Sequence, residues 1–191
     1  RGREAEAILQ KVIGTAESSR LVQEGQYWLG RVHAERGMTN RAVEVLVALG
    51  NNTNAIADVR AESWLAVAPL ASDGTNSMGR LHALRQAHAV AHKTDLRRQA
   101  GYELGRALLE SGRLEEGSEL LKKLILDAPQ DDMSARAQLE LAQGLFDAGK
   151  FDQSAEEYLH YLETYSDPAG KAAACEGRGW SLFRLGRFSE A

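Results

Sequence analysis

Five glycines recur along this chain at an almost constant interval. Gly37, Gly74, Gly112, Gly149 and Gly186 are separated by 37, 38, 37 and 37 residues. Self-similarity at a period of roughly 20–50 residues marks a stack of supersecondary units, none of which can bury its apolar face alone. The neighbourhoods repeat with the glycines: LGRVHAER precedes Gly37, LGRALLES precedes Gly112, LAQGLFDA precedes Gly149 and RGWSLFRL precedes Gly186. Leucine stands four residues before the glycine at Leu70, Leu108, Leu145 and Leu182, whereas the first copy has His33. Large apolar residues at this spacing form one stripe of a helix. A small residue inside the motif lets a neighbouring helix come close; Gly30, Gly105, Ala142 and Gly179 fill that slot, and Val67 is the exception. A second small residue follows each glycine by five positions, at Ala42, Gly79, Gly117, Ser154 and Ala191, and lets a second helix cross the first. The recurring glycine then serves a tight turn between two antiparallel helices.

The rest of the sequence agrees with helices. Only 3 prolines occur in 191 residues, so most of the backbone is free to be helical. Thr94-Asp95 and Asp167-Pro168 read as helix starts, the second with proline at the first helical position. Pro129 and the Gln-Asp-Asp after it read as a stop between repeats. With 43% apolar and 26% charged residues the balance is that of an ordinary soluble domain. A net charge of -4 lacks the basic excess of a nucleic-acid binder. No apolar run approaches the roughly 20 residues that span a bilayer. One cysteine, Cys175, excludes an internal disulfide. Its Ala-rich surroundings predict a small buried thiol.

The pattern resembles the tetratricopeptide repeat. The segment from Arg98 to Asp131 matches best, through Leu104, Gly105, Leu108, Gly112, Leu114, Gly117 and Pro129. The resemblance implies an all-α, right-handed solenoid of about ten antiparallel helices. Residues 1–15 then form the second helix of an upstream repeat, with Ala5, Leu9 and Val12 on one face. Repeats follow at 16–53, 54–93, 94–130 and 131–166, with a partial one at 167–191. The copy at 54–93 is expected to be the irregular one, because Pro69 falls late in its first helix and a polar turn, Ser72 to Ser77, replaces the tight one. Neither end resembles a capping element, so the native protein is expected to continue both ways. The segment Tyr158 to Phe188 is loosely similar to repeats of bacterial cell-envelope proteins, of the Tol-Pal coordinator and outer-membrane assembly lipoprotein type. Envelope and cytoplasm both stay open.

In such proteins ligands touch the first helix of each pair. At the fifth repeat position the resemblance places Tyr27, Trp64, Tyr102, Leu139 and Glu176. At the ninth it places Arg31, Ala68, Arg106, Gln143 and Trp180. At the twelfth it places Ala34, Ala71, Leu109, Phe146 and Phe183. Aromatics and arginines are the usual anchors of protein interfaces. The implied site is therefore a groove for a peptide or protein partner, with Tyr27, Trp64, Tyr102 and Phe146 partly exposed. Packing between repeats is the competing role for each aromatic.

Other chemistry has little support. His88, His92 and Asp95 stand at i, i+4 and i+7 and would share a helical face only if one helix ran through Thr94. Thr94 reads as a helix start, so no metal site is expected. No phosphate-binding G-x-x-x-x-G-K-S/T occurs, and the acidic residues spread along solvated faces. The sequence therefore predicts a protein-binding scaffold, with no catalytic residues and no cofactor. The alternatives are a recruitment domain of a larger enzyme or assembly machine, and self-association through open solenoid ends.

Overall fold

The computed structural model describes residues 2–71 and 77–190. Among them run ten helices and no strand. They are α1 (Gly2–Thr15), α2 (Ser19–Glu35), α3 (Thr39–Asn51), α4 (Ala57–Leu70), α5 (Ser77–Val90), α6 (Thr94–Glu110), α7 (Leu114–Asp127), α8 (Asp132–Asp147), α9 (Phe151–Thr164) and α10 (Pro168–Arg184). The chain forms two compact units, 1–100 and 101–191, with the boundary inside α6. In the first, each of α1 to α4 packs on the helix that follows it, and α2 also touches α4. In the second, α7 to α10 pack in the same sequential way, and α8 also touches α10.

The turns explain how one helix reverses into the next. Gly112 has φ +75°, a left-handed conformation that side chains disfavour and glycine adopts freely. Its N–H donates to the Leu109 carbonyl at 2.9 Å, and the Arg113 N–H donates to the Leu108 carbonyl at 2.9 Å. These two bonds satisfy carbonyls that the end of α6 leaves without partners. Gly37, Gly149 and Gly186 have the same positive φ and the same pair of bonds. The expected turn around Gly74, Ser72 to Ser77, lies outside the described residues except for the first residue of α5. Pro69 sits in the last turn of α4. Elsewhere side chains set the helix starts. Asp131 accepts from the Ser134 N–H at 2.7 Å, and Asp167 accepts from the Gly170 N–H at 2.6 Å with Pro168 at the first helical position.

The two small-residue slots meet each other where paired helices cross. A Cβ on Gly117 would lie 2.9 Å from the Gly105 carbonyl oxygen, and one on Gly105 would lie 2.6 Å from Leu121. In the next pair the Ser154 hydroxyl donates to the Ala142 carbonyl at 2.9 Å and meets the Ser181 hydroxyl at 3.0 Å. Leucines close over these crossings: Leu46, Leu121 and Leu141 are fully buried. Around Leu121 and Leu141 gather Leu124, Ile125, Ala137 and Leu145. A Cβ on Gly30 would lie 2.6 Å from Leu46, so the same close approach operates in the first unit.

Two substitutions separate the packing from the turn. Leu141→Ala should cost roughly 2–5 kcal/mol by opening a cavity in the second unit. Gly112→Ala should cost only about 1–2 kcal/mol, since a Cβ there meets nothing within 4 Å and only the backbone conformation is penalised. Urea unfolding of both variants against the parent chain measures the difference.

Candidate functional site

In the first unit α2, α4 and the start of α6 line a groove of about 610 Å³. Tyr27, Arg31 and Ala34 come from α2 at i, i+4 and i+7, so helical geometry puts them on one stripe. Arg31 Nη1 donates to the Tyr27 hydroxyl at 3.0 Å, and its guanidinium carbon lies 5.9 Å from the ring centre. The α4 wall repeats the spacing with Glu62, Ala66 and Pro69, joined by Leu65 and Leu70. Leu96 and Gln99 complete it from α6. The lining carries one cation, Arg31, and two carboxylates, Glu35 and Glu62.

A smaller hollow of about 290 Å³ abuts this groove, sharing Tyr27 and Glu62 with it. Trp28 and Ile56 line it and are 54% and 40% exposed. Asp58 is there too, but it has a structural task. It accepts the backbone N–H groups of His92 and Lys93 at 2.9 and 3.0 Å, tying down the link between α5 and α6. The Lys93 N–H bond leads in holding its carboxylate below the usual range, against the cost of burial, and the His92 N–H adds to it.

In the second unit the sequence-predicted residues divide. Tyr102 is half-buried, its hydroxyl donating to Glu140 Oε1 at 3.3 Å while Arg136 lies 5.6 Å over its ring. Arg106 lies between Glu103 at 3.1 Å and Glu110 at 3.7 Å. Burial pushes the Glu140 carboxyl up, although Arg106 and the Tyr102 hydroxyl oppose that. Gln143 is exposed and accepts from the Tyr158 hydroxyl at 3.0 Å. Phe146 is half-buried, edge-on to Phe151 with centres 5.3 Å apart. Trp180 and Phe183 are each 54% exposed and form an edge-to-face row with Phe188. Leu109 and Leu139 instead pack on core clusters, Leu109 lying over Gly117 and Gly144.

Several expectations need correction. Trp64 is only 4% exposed, so it is not a partly exposed groove aromatic. Its indole sits on Gly50, where a Cβ would come within 2.7 Å of the ring, and meets His82 edge-on at 5.7 Å. The cause is a slip of two residues. Aligning the second copy on Gly74 put Trp64, Ala68 and Ala71 where the structure has Glu62, Ala66 and Pro69. Counting back from the end of α4 would have found them, since Leu70 ends α4 as Glu35 ends α2. Cys175 is exposed rather than buried, because it lies about 100° around α10 from the buried Ala174. The helix start read at Thr94 is found instead as expected: α5 ends at Val90 and α6 begins at Thr94, so His88, His92 and Asp95 do not share a helical face. His88 Nδ1 lies 3.2 Å from the Arg97 carbonyl oxygen. No helix among the described residues is long and apolar enough to cross a membrane.

Helix pairs crossing at small residues, reversed by left-handed glycines and stacked through their first helices, define the tetratricopeptide-repeat fold, an all-α solenoid of antiparallel pairs. Solved structures of that kind are similar to this chain. MamA AMB-1 matches with TM-score 0.64 and 17% identity, over 86% of this chain and 90% of its own. A putative kinesin light chain of Podosopora anserina, described as having TPR-like repeats, matches with TM-score 0.67 and 19% identity, over 87% and 88%. YrrB, described as a TPR protein with an unusual peptide-binding site, matches with TM-score 0.67 and 12% identity, over 94% and 84%. No protein-family model matches the sequence, and no curated protein matches it.

Tyr158 gives the site a pH signature. Burial, with Asp147 the leading nearby carboxylate, pushes its phenol up to about 12. A folded-state value above the unfolded one near 10 means that its contribution to stability is complete below about pH 10 and is lost as pH rises toward 12. The melting temperature of the parent chain should therefore fall more steeply across that window than that of Tyr158→Phe.

Proposed function

We propose that this chain is a protein-interaction scaffold, not an enzyme, and that the groove between α2, α4 and the start of α6 receives a peptide segment of a partner. The carrying observation is the lining itself. An apolar wall of Leu65, Ala66, Pro69, Leu70 and Leu96 faces the Tyr27–Arg31 pair, with Glu35 and Glu62 beside it. Such a surface suits a segment with apolar side chains and an excess of positive charge, since two carboxylates outnumber one guanidinium. The smaller hollow under Trp28 extends the path for an extended chain. The peptide-binding description of YrrB supports the same reading. The second unit has a face of its own for a partner, carrying Tyr102, Arg106, Gln143 and Phe146. The likeness of Tyr158 to Phe188 to envelope repeats supports work in a bacterial envelope as much as in the cytoplasm. Recruitment of a partner to an enzyme on a longer chain would use the same groove.

The row of Trp180, Phe183 and Phe188 favours a second reading, association between copies. Exposed aromatics in contact with one another mark an interaction surface. Light scattering over a concentration range should then show growth in mass that Trp180→Ser with Phe183→Ser abolishes. A concentration-independent monomer mass for the parent chain counts against it.

The groove is tested with a displayed library of random 12-residue peptides selected on this chain. Selected sequences should be enriched in apolar and basic residues. Ala66→Trp, which fills the groove, and Glu62→Lys, which reverses a charge, should each weaken the selected peptides by about tenfold or more, the scale of a lost anchor. Melting temperatures of both variants confirm that they fold. Equal affinity for parent and variants would remove the groove from the mechanism.

A further inference from the structure

In each regular pair the second helix carries the same stripe. It runs Ala42, Leu46, Leu49 on α3, Gly117, Leu121, Leu124 on α7 and Ser154, Tyr158, Tyr161 on α9, and every one of these residues is buried. The stripe presses into the small-residue slot of the first helix. A Cβ on Gly30 would lie 2.6 Å from Leu46, and one on Gly105 would lie 2.6 Å from Leu121. Two helices carry only half of such a crossing. α1 has the stripe, as Ala5, Leu9 and Val12, but α2 covers it from one side and all three are half-buried. Ile8 beside them is 63% exposed. α10 has the slot, Gly179, but among the described residues a Cβ there would meet nothing within 4 Å. Cys175 and Phe183, one turn to either side on the same stripe, are exposed.

The two halves match residue by residue. Where α6 meets α7, Leu109 lies against Gly117; the counterparts are Phe183 and Ala5. Where α8 meets α9, the Gln138 amide donates to the Glu157 carbonyl at 3.1 Å; the counterparts are Cys175 and Ile8. Crossing α10 with α1 in this register would cover Ile8, Cys175 and Phe183 together and needs no geometry that the chain does not already use. Each molecule offers both halves, so a second copy supplies the complement. Building on association between copies as the reading of the aromatic row, we propose that α10 of one copy pairs with α1 of the next, Leu9 seated on Gly179 and Phe183 over Ala5. Such an interface joins unlike faces, so copies add head to tail.

The test blocks each half separately. Ala5→Arg puts a long side chain at a crossing that elsewhere holds Ala42, Gly117 or Ser154. Gly179→Glu fills the slot on α10 and should melt no lower than the parent, since it replaces a helical glycine and displaces nothing. Should Ala5→Arg melt early, Ile8→Asp takes its place, at an exposed position where Cys175 has no amide to offer a carboxylate. By light scattering the mass of the parent should rise with concentration. Each variant alone should stay at the mass of one chain, and an equimolar mixture should reach the mass of two chains and stop, because only one intact α10 and one intact α1 can meet. Iodoacetamide should alkylate Cys175 several-fold more slowly in the assembled parent than in Ala5→Arg. A parent that stays a single chain removes association itself, and this pairing with it. Growth of the α1 variant like the parent, or a mixture of folded variants that stays at one chain, would overturn the α10–α1 pairing while leaving association between copies in place. Equal alkylation rates would put the contact away from Gly179 and overturn it too.

Discussion

The structure depends on backbones touching where two helices cross. Gly105 and Gly117 bring α6 and α7 so close that a methyl group on either would collide with a leucine or a carbonyl. Ala142 and Ser154 do the same for α8 and α9, with the serine hydroxyl turned into a hydrogen bond instead of a clash. Once the crossing is fixed, leucines on either side have one place to go, and they bury completely. The opposite stripe of each first helix is released from packing. That stripe can carry a tyrosine, an arginine or a glutamate without loss to the core, and in the first unit it lines a groove.

Much of this was legible because the constraint is local. A glycine at φ near +73°, a small residue at the crossing and a leucine four positions before the turn are each demanded by contacts within one helix pair. Repetition multiplied the signal, so the fold class could be read from spacing alone. The helix starts at Thr94 and Asp167 were legible for the same reason, since a cap depends on residues three or four places away.

The site was less legible because it depends on which way a stripe faces, and two residues of slip rotate an α-helix by more than half a turn. In the second copy the turn glycine is no guide to the end of α4, and the slip exchanged Trp64 for Glu62. Leu109 and Leu139 misled for a different reason. They lie at the edge of the stripe, and whether such a residue faces solvent or core depends on how close the next helix comes, as Gly144 brings α8 up to Leu109.

The turn glycines have a consequence for how this architecture can vary. At Gly37, Gly112, Gly149 and Gly186 a Cβ would meet nothing within 4 Å. These positions are limited by chirality rather than by volume. The reversal between paired helices is thus separate from the packing it connects. Extra residues added at such a corner would displace no neighbour, whereas one residue added at a crossing would turn every later side chain of its helix by about 100°. The fold can lengthen at its corners and must keep count along its helices.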